Sequence, residues 1–300
     1  MVGRTLAVAA VMLALWCVLC QVALGLHWRP STFATPRTEN LATAERLATR
    51  SRPPGVLMAG SSLTHRFAVG GTDDEPFFAL GLSGHSAVTG LRLLLGILRR
   101  DPSQKPGLVV VEIDVLAGAH DDLSPYLTSA PMFYVRRYVA GLRYEYQPLN
   151  CLLSLLNSGR RASESAQGFA PEDTKAVNGA RAKVAEMRET QRSTEAAVAA
   201  LAPLVRRVEA YGIPVVFVRI PTSPVILDSP QQKTLLAAVR ARFPKNQLIL
   251  FDENIPIRLE DGFHLTRRSA CAVRTRLMAI LHRRYPGRVS LQPLPCAAFD

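Results

Sequence analysis

The sequence lacks the features that mark nucleic-acid-binding and zinc-binding proteins. Its 36 lysines and arginines outnumber its 24 acidic residues and give a net charge of +12, but no basic tract is interleaved with aromatic residues. Nucleic-acid-binding proteins usually carry such tracts, so we expect no nucleic-acid partner. The chain also lacks a histidine and cysteine cluster with metal-ligand spacing, so we expect no bound metal and no cofactor.

Cysteine is scarce, which limits the disulfides that the chain can form. Two of the five cysteines, Cys17 and Cys20, lie in an apolar N-terminal segment. Cys151, Cys271 and Cys296 lie outside that segment, and an odd number allows at most one intramolecular disulfide among them. The pair Cys271–Cys296 is the shortest closure.

The basic residues are scattered through the chain, often in pairs such as Arg99-Arg100 and Arg267-Arg268. A basic surface fits an anionic membrane or an acidic polysaccharide as a partner. Solvated helix faces in an arginine-rich protein give the same composition. Both interpretations of the charge stay open.

Residues 5–26 contain no charged side chain. At 1.5 Å per residue, a helix of that length crosses a hydrocarbon core of about 30 Å, and Trp28 follows it as an interfacial aromatic residue would. We favour an uncleaved anchor over residues 1–28, which places the chain in the inner (cytoplasmic) membrane as a single-pass protein with its bulk facing the periplasm or cell exterior. The alternative is a signal peptide cleaved near Ala23-Leu24-Gly25.

The rest of the chain predicts a stalk followed by one α/β domain. Residues 29–53 are rich in proline and predict a stalk that a short helix interrupts at residues 40–49. Over residues 54–300, apolar runs alternate with helical patterns in the order β-α-β-α-β-insertion-α-β-α-β-α, which predicts a three-layer α/β/α fold with a parallel sheet. A long helix is predicted over residues 171–211, with a break near Pro203.

The insertion, at about residues 118–170, holds five of the seven tyrosines of the chain. Tyrosines at this place would stack on sugar rings if the insertion lies over the strand ends. They serve equally well as an amphipathic cover for the core. The sequence leaves both roles open.

Polar residues follow the ends of several predicted strands. A Gly-Ser-Ser turn at residues 60–62 follows the first, Gly84 follows the second and Asp114 ends the third. Near the C-terminus, Asp261 precedes His264 by three positions, just ahead of a predicted helix at residues 267–284. Ligands bind parallel sheets beyond the carboxyl ends of the strands. A hydroxyl, a base and an acid gathered there are the parts of a serine-nucleophile site.

These motifs resemble the sequence blocks of the SGNH (GDSL-type) hydrolases. Gly-Ser-Ser-Leu at residues 60–63 resembles their first block, with Ser61 in place of the usual aspartate. Leu-Ser-Gly-His-Ser at residues 82–86 resembles the second block, and Asp261-x-x-His264 resembles the fifth. The Gly-Ser-Ser variant and the N-terminal apolar segment are most similar to the membrane-anchored branch, which includes the D-alanyl-lipoteichoic acid biosynthesis proteins and the alginate-type polysaccharide O-acetyltransferases.

The resemblance implies a flavodoxin-like sheet and a catalytic triad of Ser62, His264 and Asp261. It also implies an oxyanion hole formed by the backbone N–H groups of Ser62 and Gly84. Leu116 stands where the asparagine of the third block, a further oxyanion donor, is expected. By this resemblance the protein transfers or removes O-acyl groups of an envelope or exported polysaccharide, beside a membrane-bound O-acyltransferase partner.

Each residue also has a purely structural interpretation. Ser62 suits a helix cap, Ser61 is either a rival nucleophile or the N-cap itself, and Asp261 and His264 suit a capping carboxylate and a surface histidine. The missing asparagine favours an alternative function, a non-catalytic scaffold that binds polysaccharide or a biosynthetic complex. The residues predicted to contact substrate are Ser61, His65, His85 and Asp114.

Overall fold

A computed structural model describes residues 2–68, 75–116, 123–157, 168–189, 194–251 and 255–290. Five strands form one parallel sheet in the order β2-β1-β3-β4-β5. This order places the topological switch point between β1 and β3, where ligands of such sheets bind. The predicted α/β class with a parallel sheet is confirmed. The strands are β1 (Val56–Gly60), β2 (Phe77–Gly81), β3 (Leu108–Glu112), β4 (Val215–Arg219) and β5 (Leu248–Leu250).

Helices cover both faces of the sheet, and short 3₁₀ turns lie at Pro102–Gln104, Ala140–Leu142, Tyr144–Tyr146 and Lys245–Gln247. The α-helices in the described part of the chain are α1 (Val2–Gly25), α2 (Pro36–Thr49), α3 (Ser62–His65), α4 (Ala87–Arg100), α5 (Leu123–Thr128), α6 (Met132–Tyr138), α7 (Pro148–Asn157), α8 (Thr174–Glu189), α9 (Thr194–Ala210), α10 (Pro224–Leu227), α11 (Pro230–Arg242) and α12 (Arg267–Arg284).

The core has two halves because strand side chains alternate between the faces of the sheet. Leu57 and Ala59 of β1 pack with α2, α4, α5 and α9 on one face. Val56 and Met58 pack with α12 on the other face. All four of these side chains are fully buried, as expected of a parallel strand covered on both sides.

The long helix predicted over residues 171–211 is divided into α8 and α9, and the predicted break near Pro203 is wrong. Pro203 lies inside α9. Leu201, Ala202 and Leu204, which flank it, are buried in the core. Their packing outweighs the ~3 kcal/mol that an interior proline costs a helix. Residues 190–193, between the two helices, lie outside the described residues.

The segment predicted as a stalk, residues 29–53, does not stand apart from the domain. Its helix begins at Pro36, where the Thr35 side chain accepts a hydrogen bond from the backbone N–H of Thr38 as an N-cap. The helix predicted at residues 40–49 is present but starts at Pro36, and its apolar face is buried in the core, so it belongs to the folded domain. The buried apolar residues of α2 are Leu41, Ala42, Ala44, Leu47 and Ala48.

Gly3–Gly25 of α1 is long and apolar enough to cross a membrane, a property that signal sequences share. Residues 123–157 of the predicted insertion form α5, α6 and α7, while residues 117–122 and 158–167 lie outside the described residues. Of the insertion tyrosines, Tyr144 and Tyr146 are buried, whereas Tyr134 and Tyr138 are exposed. Buried tyrosines serve the core, so at least these two do not face a sugar.

The cysteines outside α1 differ in state. Cys271, on α12, is disulfide-bonded. Cys296, with which Cys271 has the shortest closure, lies outside the described residues. Cys151 is a free, buried thiol, and Cys17 and Cys20 on α1 are free as well.

Candidate active site

The two adjacent serines after β1 have different environments. Ser61 is buried and is the N-cap of α3, because its hydroxyl oxygen accepts a hydrogen bond from the backbone N–H of Leu63 at 3.2 Å. Ser62 is the first residue of the helix and is only half-buried. The capping role therefore falls to Ser61, and the hydroxyl of Ser62 remains available for chemistry.

The carboxylate of Glu112, on β3, accepts hydrogen bonds from the turn that carries the serines. Its Oε1 accepts a hydrogen bond from the Ser61 hydroxyl at 2.7 Å, and its Oε2 accepts one from the Ser61 backbone N–H at 2.8 Å. Oε2 also accepts from the hydroxyl and the N–H of Thr64, at 2.6 and 3.2 Å. Complete burial raises the pKa of Glu112, and the hydrogen bonds from Thr64 and Ser61 oppose that rise.

Gly60 leaves room for this carboxylate. A Cβ at that position would lie 2.0 Å from Oγ1 of Thr64 and 2.3 Å from Oε2 of Glu112. Both distances are far inside van der Waals contact. Glycine is therefore needed at position 60, because a side chain there would displace the Glu112 carboxylate.

His264 connects the serine to a carboxylate. Its Nε2 lies 2.9 Å from the hydroxyl oxygen of Ser62, and its Nδ1 lies 2.7 Å from Oδ2 of Asp261. An ionised carboxylate only accepts hydrogen bonds, so Nδ1 carries the proton and Nε2 is left as an acceptor. This tautomer is the one that takes a proton from a serine hydroxyl.

Asp261 is held as an anion. Partial burial acts to raise the pKa of Asp261, but hydrogen bonds from the ring and the backbone N–H of His264, the charge of that ring, and the N–H of Phe263 outweigh burial. Together they hold the pKa of Asp261 well below its usual range. The carboxylate therefore stays charged at neutral pH and fixes the orientation of the imidazole.

The loop that carries Asp261 and His264 is fastened to three elements. Arg66, just after α3, forms an ion pair with Glu260 in which Nη2 and Oε2 lie 2.7 Å apart. The hydroxyl of Thr222, after β4, donates to the carbonyl oxygen of Phe263 at 3.0 Å. Gly262 has a φ of +84°, and a Cβ there would lie 2.0 Å from a backbone oxygen of α8. These contacts bring parts of the chain that are 202 positions apart to one place.

Asn40 of α2 fixes the loop that carries Gly84. Its Nδ2 donates to the carbonyl oxygen of Ser83 at 2.8 Å, and its Oδ1 accepts from the N–H of Ser83 at 2.8 Å. Asn40 is 3% exposed, so this pair of hydrogen bonds is shielded from water. Gly84 follows directly, with a φ of +77° that favours glycine.

The two backbone N–H groups predicted to bind an oxyanion belong to turns that follow neighbouring strands. Gly60 pairs with Gly81 at the ends of β1 and β2, so the Gly84 loop begins beside the serine turn. Within the described residues, the N–H groups of Ser62 and Gly84 have no protein acceptor. Leu116, where the third-block asparagine was expected, is 4% exposed and packs in the core, so it supplies no donor.

The two histidines predicted to contact substrate make no hydrogen bond to the Ser62–His264 pair among the described residues. Nε2 of His65 lies 3.4 Å from Oε1 of Glu39 on α2. Burial lowers the pKa of His65, and Glu39 opposes that effect. Nδ1 of His85, next to Gly84, is buried and has no hydrogen-bond partner in the described part of the chain.

Asp114 ties the ends of β3 and β4 together. Its Oδ2 accepts from the backbone N–H of Ile220 at 2.7 Å, and its Oδ1 lies 3.9 Å from Nε of Arg219. Burial and the nearby Glu112 raise the pKa of Asp114 to about 8. No hydrogen bond joins it to Ser62 within the described residues, so the geometry gives it a structural role.

Sequence reasoning missed Glu112 and Asn40 as site residues. Glu112 had a signal, because it is the single charged residue in the otherwise apolar strand at residues 108–113, and a buried charge needs partners. Asn40 had none, because it lies in a segment whose prolines indicated a stalk.

Comparison of the chain with protein-family models, with curated proteins and with solved structures finds no match. Among the described residues, no group of three or more histidine, cysteine, aspartate or glutamate side chains is placed to hold a metal ion. The chemistry of the site therefore has to be argued from the serine, the histidine, the aspartate and the backbone donors around them.

Proposed function

We propose that the protein is an SGNH-type serine acyl transferase or esterase that acts on O-acyl groups of an envelope or exported polysaccharide. One observation carries the proposal: the hydrogen-bonded chain from Ser62 through His264 to Asp261, with distances of 2.9 and 2.7 Å. The order of groups and the tautomer that it enforces match the requirements for activating a serine hydroxyl.

The reaction follows from these roles. Nε2 of His264 takes the proton of Ser62 as the hydroxyl oxygen attacks the carbonyl carbon of the acyl ester. The N–H groups of Ser62 and Gly84 donate to the oxyanion of the tetrahedral intermediate. The intermediate then expels the donor alcohol, which receives the proton from His264, and leaves an ester on Ser62.

A second half-reaction releases the acyl group. His264 takes a proton from the acceptor, whose oxygen attacks the ester carbonyl, and the serine oxygen leaves with that proton. A sugar hydroxyl as acceptor makes the protein a transferase, and water makes it an esterase. The resemblance to the membrane-anchored branch favours transfer beside a membrane-bound O-acyltransferase, and α1 is long and apolar enough to keep the domain at a membrane.

A non-catalytic scaffold is the second candidate function. The buried Leu116 favours it, because this side chain replaces a polar oxyanion donor. Losing one such donor typically lowers the rate ~100–1,000-fold. A scaffold would keep the fold and bind polysaccharide or a biosynthetic complex without turning over an ester.

Cells that lack the gene, complemented with single variants, separate the two functions. We expect His264→Ala to leave the O-acyl content of the exported polysaccharide at the level of the deletion, measured by NMR. The control is His282→Gln, since His282, on α12, donates to the carbonyl oxygen of Val289 and takes no part in the triad. If His264→Ala restores acylation as well as the wild type does, at equal protein level, the scaffold is correct.

A further inference from the structure

The helix α7 has its polar side inward and its apolar side outward. Asn150, Cys151 and Ser154 are buried. A surface helix of a water-soluble domain shows the reverse arrangement, with leucines against the core. Four leucines of α7 face outward instead: Leu149, Leu152, Leu155 and Leu156 are 54%, 52%, 60% and 67% exposed.

Hydrogen bonds fix this inverted orientation. Nδ2 of Asn150 donates to the carbonyl oxygen of Tyr144 at 2.9 Å, and its Oδ1 accepts from the N–H of Ala34 at 3.3 Å. The hydroxyl oxygen of Ser154 accepts from the N–H groups of residues 31 and 32, both at 2.9 Å. Rotating the helix to bury its leucines would break all four bonds. The hydrogen bonds of Asn150 and Ser154 therefore hold the leucines in their exposed orientation.

The same part of the chain packs against α1. Ala140, Tyr146 and Cys151 form a buried cluster with Cys20 of α1, and the surrounding residues include Trp16, Ala23, Leu24 and Trp28. The approach is close, since a Cβ on Gly141 would lie 2.8 Å from the Cα of Cys17. Residues 140–151 thus contact α1 from Cys17 onward and not only at its end.

The position of this contact along α1 indicates where residues 140–151 and α7 lie relative to the membrane. From Cys17 to Gly25, a helix rises about 12 Å, most of the ~15 Å that one leaflet contributes to a hydrocarbon core. With α1 across a membrane, residues 140–151 lie within the leaflet on the domain side. We propose that α7 is an interfacial membrane helix whose outward leucines contact lipid acyl chains, so that the domain is seated in the membrane surface.

Buried ion pairs connect the segments that surround α7. Arg29, directly after Trp28, lies 2.9 Å from Oε1 of Glu145, and Nε of Arg46 on α2 lies 2.6 Å from Oε2. Glu145 is 1% exposed, so its carboxylate is shielded from water. The network joins the end of α1, the helix α2 and the segment before α7.

Lipid fits the outward face better than a protein partner does. The exposed side chains of α7 carry no polar group. The outward residues Leu13, Val18 and Val22 of α1, whose Cys20 packs with Cys151 of α7, are likewise apolar and are 53%, 60% and 55% exposed. Trp28, just after α1, stands where an interfacial aromatic residue is expected, and its ring packs on the buried Tyr146 with centroids 6.5 Å apart. The proposal rests on α1 crossing the membrane and is independent of the chemistry at Ser62.

Photo-crosslinking in native membranes tests the proposal. A benzoylphenylalanine replaces Leu152 in the full-length chain, or Leu156 in a second variant, and adducts are identified by mass after illumination. Lys245 is the negative control, because it is exposed beside β5 at the opposite edge of the sheet, and Leu13 is the positive control. The melting temperature of each variant is compared with that of the wild type to show that it is folded.

We expect phospholipid adducts at positions 152, 156 and 13, and none above background at 245. A dominant crosslink from 152 and 156 to a membrane protein would replace the lipid by a protein partner and overturn the proposal. So would the absence of lipid adducts at 152 and 156, whether or not position 13 gives them. None of these outcomes depends on whether Ser62 forms an acyl ester, so the two proposals fail separately.

Discussion

Glu112 accepts hydrogen bonds from both the hydroxyl and the backbone N–H of Ser61, at 2.7 and 2.8 Å. This contact separates the roles of two adjacent serines. The proton of Ser61 is engaged by a buried carboxylate, whereas the hydroxyl of Ser62 lies 2.9 Å from an imidazole nitrogen of His264. Sequence alone left both serines as nucleophile candidates, and the geometry favours Ser62.

Removing the carboxylate beneath the turn should destabilise the protein and slow the reaction. Glu112→Ala leaves the donors of Ser61 and Thr64 buried without an acceptor, so we expect a loss of about 3 kcal/mol or more in the free energy of unfolding. Glu112→Gln keeps the oxygen that accepts three of the four bonds, so its loss should be nearer ~1 kcal/mol. Denaturant unfolding measures both values. Equal stability of Glu112→Ala and the wild type would show that the hydrogen bonds to Glu112 do not stabilise the fold.

Asn40 should affect turnover more than substrate binding. Asn40→Ala frees the backbone of Ser83, which lets the neighbouring Gly84 N–H move from the oxyanion. We expect kcat to fall by ~10-fold or more with KM nearly unchanged, because the interaction forms in the transition state. Arg37→Ala, an exposed position on the same helix, is the control. A rise in KM without a change in kcat would place Asn40 in ground-state binding instead.

Asp261→Asn should abolish most activity while leaving the fold intact. The asparagine NH₂ group can donate to Nδ1 of His264, and the ring then carries its proton on Nε2. In that tautomer Nε2 no longer accepts the Ser62 proton. By comparison with serine triads in general, we expect kcat to fall roughly 1,000- to 10,000-fold. Asp228→Asn, at a carboxylate that is 74% exposed, serves as the control. Near-normal turnover by Asp261→Asn would remove Asp261 from the mechanism.

Asp114 should make stability depend on pH. Its pKa is raised to about 8 by burial and by Glu112, so between the ordinary value of ~4 and about 8 the folded state binds a proton that the unfolded state has released. Stability should therefore fall as pH rises through this window, by about 1.4 kcal/mol per pH unit for one group. Glu45 has a pKa raised to about 8 by burial and adds to the same slope, so Asp114→Asn, which mimics the protonated acid, should remove one group's share of the dependence, measured as melting temperature against pH. An unchanged slope would contradict the raised pKa.

The sheet was predictable because each strand is a short apolar run bounded by turn residues. The start of α12 follows from Thr266, whose side chain caps the N-terminus of the helix. The break predicted at Pro203 failed because the burial of its neighbours opposes local propensity. Local sequence does not contain that information.

The triad residues were accessible to sequence reasoning because each lies at an element end in a recognisable motif. Their supports were not, since Asn40 and Glu112 act through contacts across 43 and 51 positions. The outward orientation of the α7 leucines could not be predicted from the sequence either. An apolar run of that length predicts a helix with buried leucines, and only the packing of Asn150 and Ser154 shows the opposite.

The most direct measurement is an acyl adduct on Ser62. The purified full-length chain is mixed with an activated acetyl ester, quenched in acid, and its peptides are analysed by mass spectrometry. We expect one acetyl group on the peptide that carries Ser62, present in Ser61→Ala and absent in Ser62→Ala and His264→Ala. An adduct that persists in Ser62→Ala and disappears in Ser61→Ala, or a folded wild type that forms none, would contradict this expectation.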